Sequence, residues 1–219
     1  AKGRAVAHKV GLMDACTIMH MPLYKELGRR LRQGGFGSVN LIQENFGSYK
    51  NYDMDNRFFN PKRAGGAMLD IGVYSLSLAR LFLSSCPDEW VSLENAAPTG
   101  VDETEGIVAR NSEGQMVVLS LSLHSKQPKR AMISCDRCFI EIMEYPRADE
   151  ATITWTHSGE REVVRVGQSA RALNYVLADL EEAVANRQLA HDNIAISSDV
   201  MHMMTGMRYD WGFKYPEES

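Results

Sequence analysis

The spacing of apolar residues along the chain changes character several times, and each change marks an element. Residues 1–9 read as the tail of a helix, and residues 10–18 form a short apolar run suited to a buried strand. Pro22 then opens a helix, since proline at the first helical position has no amide to leave unpaired. Leu23, Leu27 and Leu31 give that helix one apolar stripe, and Gly34 and Gly35 end it. Residues 38–46 alternate as a strand does, whereas residues 47–63 are polar and aromatic with no consistent period, a loop of the kind that carries function. From Gly65 to about Ser84 the period is helical again, with Leu69, Val73, Leu76 and the stem of Arg80 on one face and Pro87 beyond the end.

Between about residues 90 and 166 the period falls to two. Val117, Leu119, Leu121 and Leu123 alternate with Ser120, Ser122 and His124, and the turn at Ser112, Glu113 and Gly114 joins them to a strand over 106–111. Strands are also predicted at 130–135, 138–143, 151–155 and 160–166, so a meander of six or so antiparallel strands is the natural arrangement. Two helices follow. Leu173, Val176, Leu177, Leu180 and Val184 mark the buried stripe of the first, Ile196, Val200, Met203, Met204 and Met207 that of the second, and Gly212 is placed to stop it. The expected fold class is α+β, an open and mostly antiparallel sheet with helices on one face. Its other face either meets solvent, which antiparallel sheets tolerate, or is covered by a second subunit. We expect a homodimer, with Ser120 and Ser122 inside the interface.

Composition narrows the setting. The 219 residues are 44% apolar and 24% charged, an ordinary globular balance, and the formal net charge of -4 leaves no basic footprint for nucleic acid. No stretch approaches the ~20 apolar residues that a membrane-spanning helix needs. Four cysteines are too few for a disulfide scaffold, and twelve methionines suit a reducing compartment, so a cytoplasmic setting is expected.

The most informative segment runs from Asn56 to Tyr74. Asp70 and Tyr74 lie four positions apart on the expected helix and so share a face, where both can reach one ligand. A carboxylate can orient a substrate hydroxyl, and a phenol, with an ordinary pKa near ~10, needs a nearby cation to exchange a proton near neutrality. The pair taken alone fits a capping or solvated Asp70 and a half-buried, packed Tyr74 better than a site, since such spacings are common on helices. His20, just before Pro22, reads as a substrate contact or as a packed or capping histidine. Arg57 and Lys62 can meet an anionic or hydroxylated substrate, a neighbouring subunit, or only solvent; Tyr49 and Tyr52 can line a pocket mouth. Cys135 and Cys138 have C-x-x-C spacing but no second pair, and read as a turn between strands rather than half a zinc site; no metal is expected. His124, His157, His191 and His202 have no partner at diagnostic spacing.

The run Gly65-Gly66-Ala67-Met68-Leu69-Asp70-Ile71-Gly72-Val73-Tyr74 resembles the signature helix of the glucose-fructose oxidoreductase, inositol dehydrogenase and rhizopine catabolism (Gfo/Idh/MocA) family, and Arg57 through Pro61 resembles the run before it in the dihydrodiol dehydrogenase and glucose-fructose oxidoreductase branch. Leu12 through Lys25 is similar to the family's last Rossmann strand and exit helix, Gly35 through Gly47 to its first sheet strand, and Trp211 through Pro216 to its C-terminal ending. The resemblance implies hydride transfer between NAD or NADP and a carbon bearing a hydroxyl in a sugar, polyol or cyclic diol. Tyr74 would exchange the proton and Asp70 would orient the substrate. Residues 1–20 would be a remnant of the nucleotide-binding domain and residues 21–219 the substrate-binding and dimerisation domain. The family's Glu-Lys-Pro lysine and its Gly-rich phosphate loop do not occur in this sequence. The chain alone is therefore expected to be inactive. The alternative is a non-catalytic ligand sensor of the same fold.

Overall fold

The computed structural model describes residues 2–8 and 10–218. The expected helix tail is α1 (Lys2–His8), with Ala1 and Lys9 outside the described residues. The strand expected over 10–18 does not form. Residues 10–16 have no regular structure and Thr17–His20 is a 3₁₀ turn. Its backbone groups are met by side chains instead: Asp14 N–H donates to Asn193 Oδ1 at 2.6 Å, and Cys16 N–H to Asp14 Oδ1 at 2.9 Å. An apolar run becomes a strand only beside another strand, and residues 10–18 pair with none.

Helix α2 (Pro22–Arg32) starts at its proline and buries Leu23, Tyr24 and Leu27; Gly34 takes φ 75° just past its end. β1 (Val39–Gly47) follows, then the irregular loop, a π-helical turn (Met68–Gly72) and α3 (Val73–Phe82). The sheet strands are β2 (Glu89–Ala96), β3 (Asp102–Arg110), β4 (Met116–Ser122), β5 (Gln127–Cys135), β6 (Cys138–Met143), β7 (Glu150–Trp155) and β8 (Arg161–Arg165). Helices α4 (Ala172–Ala185) and α5 (Arg187–Asp210) end the chain, and Gly212 at φ 76° stops α5 as expected.

The eight strands lie in the order β2-β3-β4-β1-β5-β6-β7-β8. The meander is therefore interrupted: β1 inserts between β4 and β5, parallel to β4 and antiparallel to β5. Insertion gives both neighbours a partner on each edge and places the end of β1, with Phe46, beneath the start of α3. The fold is α+β with an open, mixed sheet. Its helix-facing side carries the core, with Ile42, Leu119, Leu121, Ile133, Ile140 and Ile153 all nearly inaccessible. The burial of each such side chain contributes roughly 1.5–3 kcal/mol.

Two expectations about faces change. Leu173, Leu177, Leu180 and Val184 of α4 point outward, Val184 at 79% exposure; the helix is turned so that Val176, Asp179 and Ala183 face inward. The cause is polar, since Asp179 reaches His20 and Lys25. On the sheet, Ser122 is buried within the chain, bonding Thr104 Oγ1 at 2.9 Å and accepting the amides of His124 and Ser125. Ser120 is exposed as expected.

Candidate active site

The loop and the π-turn assemble the candidate site. Asn60 accepts the Lys62 amide and turns the chain, and the glycine pair then brings the backbone against β3. Gly66 has φ 120°, and a Cβ there would lie 2.8 Å from Cγ of Asp102; a Cβ on Gly65 would lie 2.7 Å from the Arg57 carbonyl oxygen. Only glycine fits either position. Asp102 Oδ2 accepts the Met68 amide at 2.6 Å, which satisfies one free donor at the helix start.

The helix expected from Gly65 begins as a π-turn, with the Val73 amide bonding back to the Met68 carbonyl five residues earlier. Such widened turns recur at functional sites. Asp70 and Tyr74 both lie on this segment, partly exposed. Arg57, from the loop, places Nη2 2.7 Å from Asp70 Oδ1 and stacks its guanidinium 4.4 Å over Phe58. Tyr74 rests against Phe46, with ring centroids 6.4 Å apart. Burial raises the Tyr74 phenol above its ordinary value and Cys16 adds to the rise, while Arg147 and Arg57 oppose it without overcoming it. The phenol thus stays protonated near neutrality unless a further cation approaches.

Other expected site residues lie in different surroundings. Tyr49 and Tyr52 are about half exposed and close over His124, Tyr52 stacking at 4.2 Å and Tyr49 at 5.5 Å; the Tyr52 hydroxyl donates to Glu103. This aromatic patch belongs to the same loop as Arg57, and Tyr52 packs on Phe59 at 5.1 Å. His20 is 2% exposed, with Nδ1 2.8 Å from Asp179 Oδ2 and Nε2 2.8 Å from the Asp14 carbonyl, so both ring nitrogens are engaged within the chain. Burial by itself would raise the Asp179 carboxyl, but the hydrogen bonds from His20 and Lys25 hold it below its ordinary value. Lys62 makes no side-chain contact that ties it to Asp70 or Tyr74. Cys135 and Cys138 sit buried at the β5–β6 turn, and burial pushes the Cys135 thiol up to about 12, which makes it a poor nucleophile.

Sequence reasoning missed Phe46, Cys16 and Arg147, which surround Tyr74, and Asp102, which holds the helix start. Phe46 could have been found as the last apolar residue of its strand. The others carried no local signal, because they come from segments 34 to 73 positions away from the residues they serve. Among the described residues, no group of three or more His, Cys, Asp or Glu is arranged to hold a metal ion. No helix there is long and apolar enough to cross a membrane.

A family model described as the GFO/IDH/MocA C-terminal domain matches residues 24–141, more than half of the chain and the stretch that holds Arg57, Asp70 and Tyr74. The chain belongs to the GFO/IDH/MocA family. Trans-1,2-dihydrobenzene-1,2-diol dehydrogenase of Xenopus tropicalis is 30% identical over 134 residues, covering 61% of this chain and 40% of the relative. The NADP(+)-dependent scyllo-inositol 2-dehydrogenase of Bacillus subtilis (strain 168) is 25% identical across 98% of this chain and 66% of its own length. The fold matches a 3-ketoreductase from Actinomadura kijaniata, solved with NADP and TDP-benzene, at a TM-score of 0.72, with 19% identity over 90% of this chain and 63% of that one. An aldose-aldose oxidoreductase from Caulobacter crescentus, solved with glycerol, matches at 0.70, with 18% identity over 89% and 63%. The chain spans about 40% of the length of the dihydrodiol dehydrogenases it matches.

Proposed function

We propose that this GFO/IDH/MocA domain is the substrate-binding part of an NAD(P)-dependent dehydrogenase that acts on a hydroxyl of a sugar, polyol or cyclic diol. The observation that carries the reading is the joint placement of Asp70 and Tyr74 on the π-turn and α3, with Arg57 latched to Asp70. In this reading Tyr74 exchanges the proton of the reacting hydroxyl, Asp70 orients the substrate, and Arg57 holds Asp70 in place. The cofactor would supply or accept the hydride. Tyr49 and Tyr52 offer ring faces on which a sugar or cyclic diol can stack. His20 acts at one remove, tying the segment after Asp14 to Asp179 of α4.

The raised phenol of Tyr74 supports a division of labour. The cation that makes it a proton acceptor comes from outside this chain, as a lysine of the cofactor domain does in the family pattern. Residues 1–20 then form the exit from that domain and residues 21–219 the substrate domain, and the outward apolar stripe of α4 is surface for further protein to cover. Alone, the 219 residues bind neither cofactor and turn nothing over. A cytoplasmic location accords with the four free cysteines.

The open sheet face supports a homodimer. One row crosses all eight strands through Val91, Val108, Val118, Gln43, Met132, Glu141, Thr152 and Val163, and Leu93 in the next row is 78% exposed. Five of these eight side chains are apolar, and a broad exposed face of such mixed composition is one that self-association can cover. The function is tested by joining the chain to its nucleotide-binding portion and assaying NAD(P) reduction with a panel of diols, polyols and aldoses. Turnover of at least one class is expected. Tight binding of such compounds without turnover would favour the ligand sensor.

A further inference from the structure

Three carboxyl groups meet behind the glycine pair. Asp102 and Glu105 of β3 are only 3% and 2% exposed, and Glu94 of β2 stands directly opposite Glu105. Asp102 Oδ2 is used by the Met68 amide. Asp102 Oδ1, both oxygens of Glu105 and Oε2 of Glu94 are shut away from solvent and have no hydrogen-bond partner of good geometry among the described residues, although the Met68 amide, bonded to Asp102 Oδ2, also favours the charged form of Glu105. The remaining charged and titratable groups on this side are Tyr215, Arg208 and Glu218. The Tyr215 hydroxyl donates to the Gly65 carbonyl at 2.5 Å, and both terminal nitrogens of Arg208 are taken by Glu218 at 2.9 and 3.0 Å.

Such a group of acids cannot all be ionised in a desolvated site, because like charges and burial both penalise the charged form. One proton resolves the conflict. Placed on Glu105 and shared with Asp102, it supplies the missing donor as a charge-assisted bond and leaves the charge on Asp102. That is where a carboxylate is favoured, since it accepts an amide at the start of the helical segment. Burial first, then the neighbouring Asp102 and Glu94 carboxyls, drive the Glu105 carboxyl well above its ordinary value, and the Met68 amide opposes them without overcoming them. The glycine pair belongs to the same device, for no side chain fits between Asp102 and the backbone at Gly66.

We propose that Glu105 is held as a carboxylic acid donating to Asp102, and that the pair is the positioning element that fixes the first turn of the segment carrying Asp70 and Tyr74. Its bearing on catalysis rests on the dehydrogenase reading above; its existence does not.

The test uses the 219-residue chain itself. The carbon-13 carboxyl resonance of Glu105, assigned by its loss in Glu105→Gln, stays unchanged through the ordinary carboxyl range around 4.3. Hydrogen exchange at the Met68 amide is near the unsubstituted rate in Glu105→Gln, whose amide still donates to Asp102. In Glu105→Ala it is faster by roughly 10-fold or more, the worth of one unmade buried hydrogen bond, while the amides of Val117 and Leu119 keep their protection. A Glu105 resonance that titrates in the ordinary range, or equal acceleration in the Gln and Ala variants, would overturn the proposal. If the Ala variant does not fold, the Glu105 titration in the unsubstituted chain decides alone. Because neither readout involves turnover, an inactive full-length protein with an intact clamp would sink the dehydrogenase reading and leave this one standing.

Discussion

Arg57 Nη2 lies 2.7 Å from Asp70 Oδ1, and this contact ties the irregular loop to the turn that opens α3. Arg57 is 62% exposed, so the pair contributes only about 0–1 kcal/mol to stability. Its consequence is positional. In the full-length protein Arg57→Ala should leave the melting temperature of the domain almost unchanged and raise KM several-fold, as Asp70 loses its fixed rotamer. A drop in stability with unchanged KM would show that the pair is structural only.

Gly66→Ala should destabilise the domain by about 2 kcal/mol or more, because alanine is strained at φ 120° and its Cβ runs into the buried carboxylate of Asp102. Chemical denaturation measures this directly. Gly100→Ala is the control: it also has positive φ, at 87°, but open space around it, so only the smaller backbone cost applies.

Stability should fall as pH rises above the ordinary carboxyl range. Glu44 and Glu105 are both raised by burial, so in the folded state they keep their protons while in the unfolded chain they lose them near pH ~4.3. Stability is therefore full below that value and is lost progressively as pH climbs towards the folded-state values, by up to about 1.4 kcal/mol per pH unit for each proton. Glu44→Gln should flatten part of the slope, and Glu44→Gln with Glu105→Gln most of it. Thermal melts from mildly acidic to mildly alkaline buffer read the slope, and a profile that rises with pH would refute the assignment.

Much of the fold was legible because local rules and tertiary packing agreed: Pro22, Gly34 and Gly212 end or begin helices where the sequence places them. Where they disagreed, packing won. The run at 10–18 has strand composition but no partner strand, and α4 is turned by the attraction of Asp179 to His20 and Lys25 rather than by its leucines. β1 inserts between β4 and β5 although nothing local marks it, because strand order follows from long-range pairing. Asp70, Tyr74 and Arg57 stood within 18 positions and could be read together. Asp102 and Arg147 could not, since only the folded chain brings them near.

The exposed sheet face makes a prediction about assembly. The chain should sediment as a dimer, and Leu93→Asp with Val108→Arg should yield a folded monomer, since both side chains are exposed on the open face of β2 and β3, at 78% and 42%, and neither belongs to the core. A monomer before substitution would remove the sheet face from the account.

In the proposed reaction Tyr74 exchanges a proton with the reacting hydroxyl, and steady-state kinetics of Tyr74→Phe in the full-length protein report on that step. The substitution removes one oxygen and keeps the ring against Phe46, so fold and cofactor affinity should be retained. The expected result is a fall in kcat of roughly 10²- to 10⁴-fold, the usual worth of a general acid or base. An unchanged kcat on an accepted hydroxylated substrate would contradict this role of Tyr74.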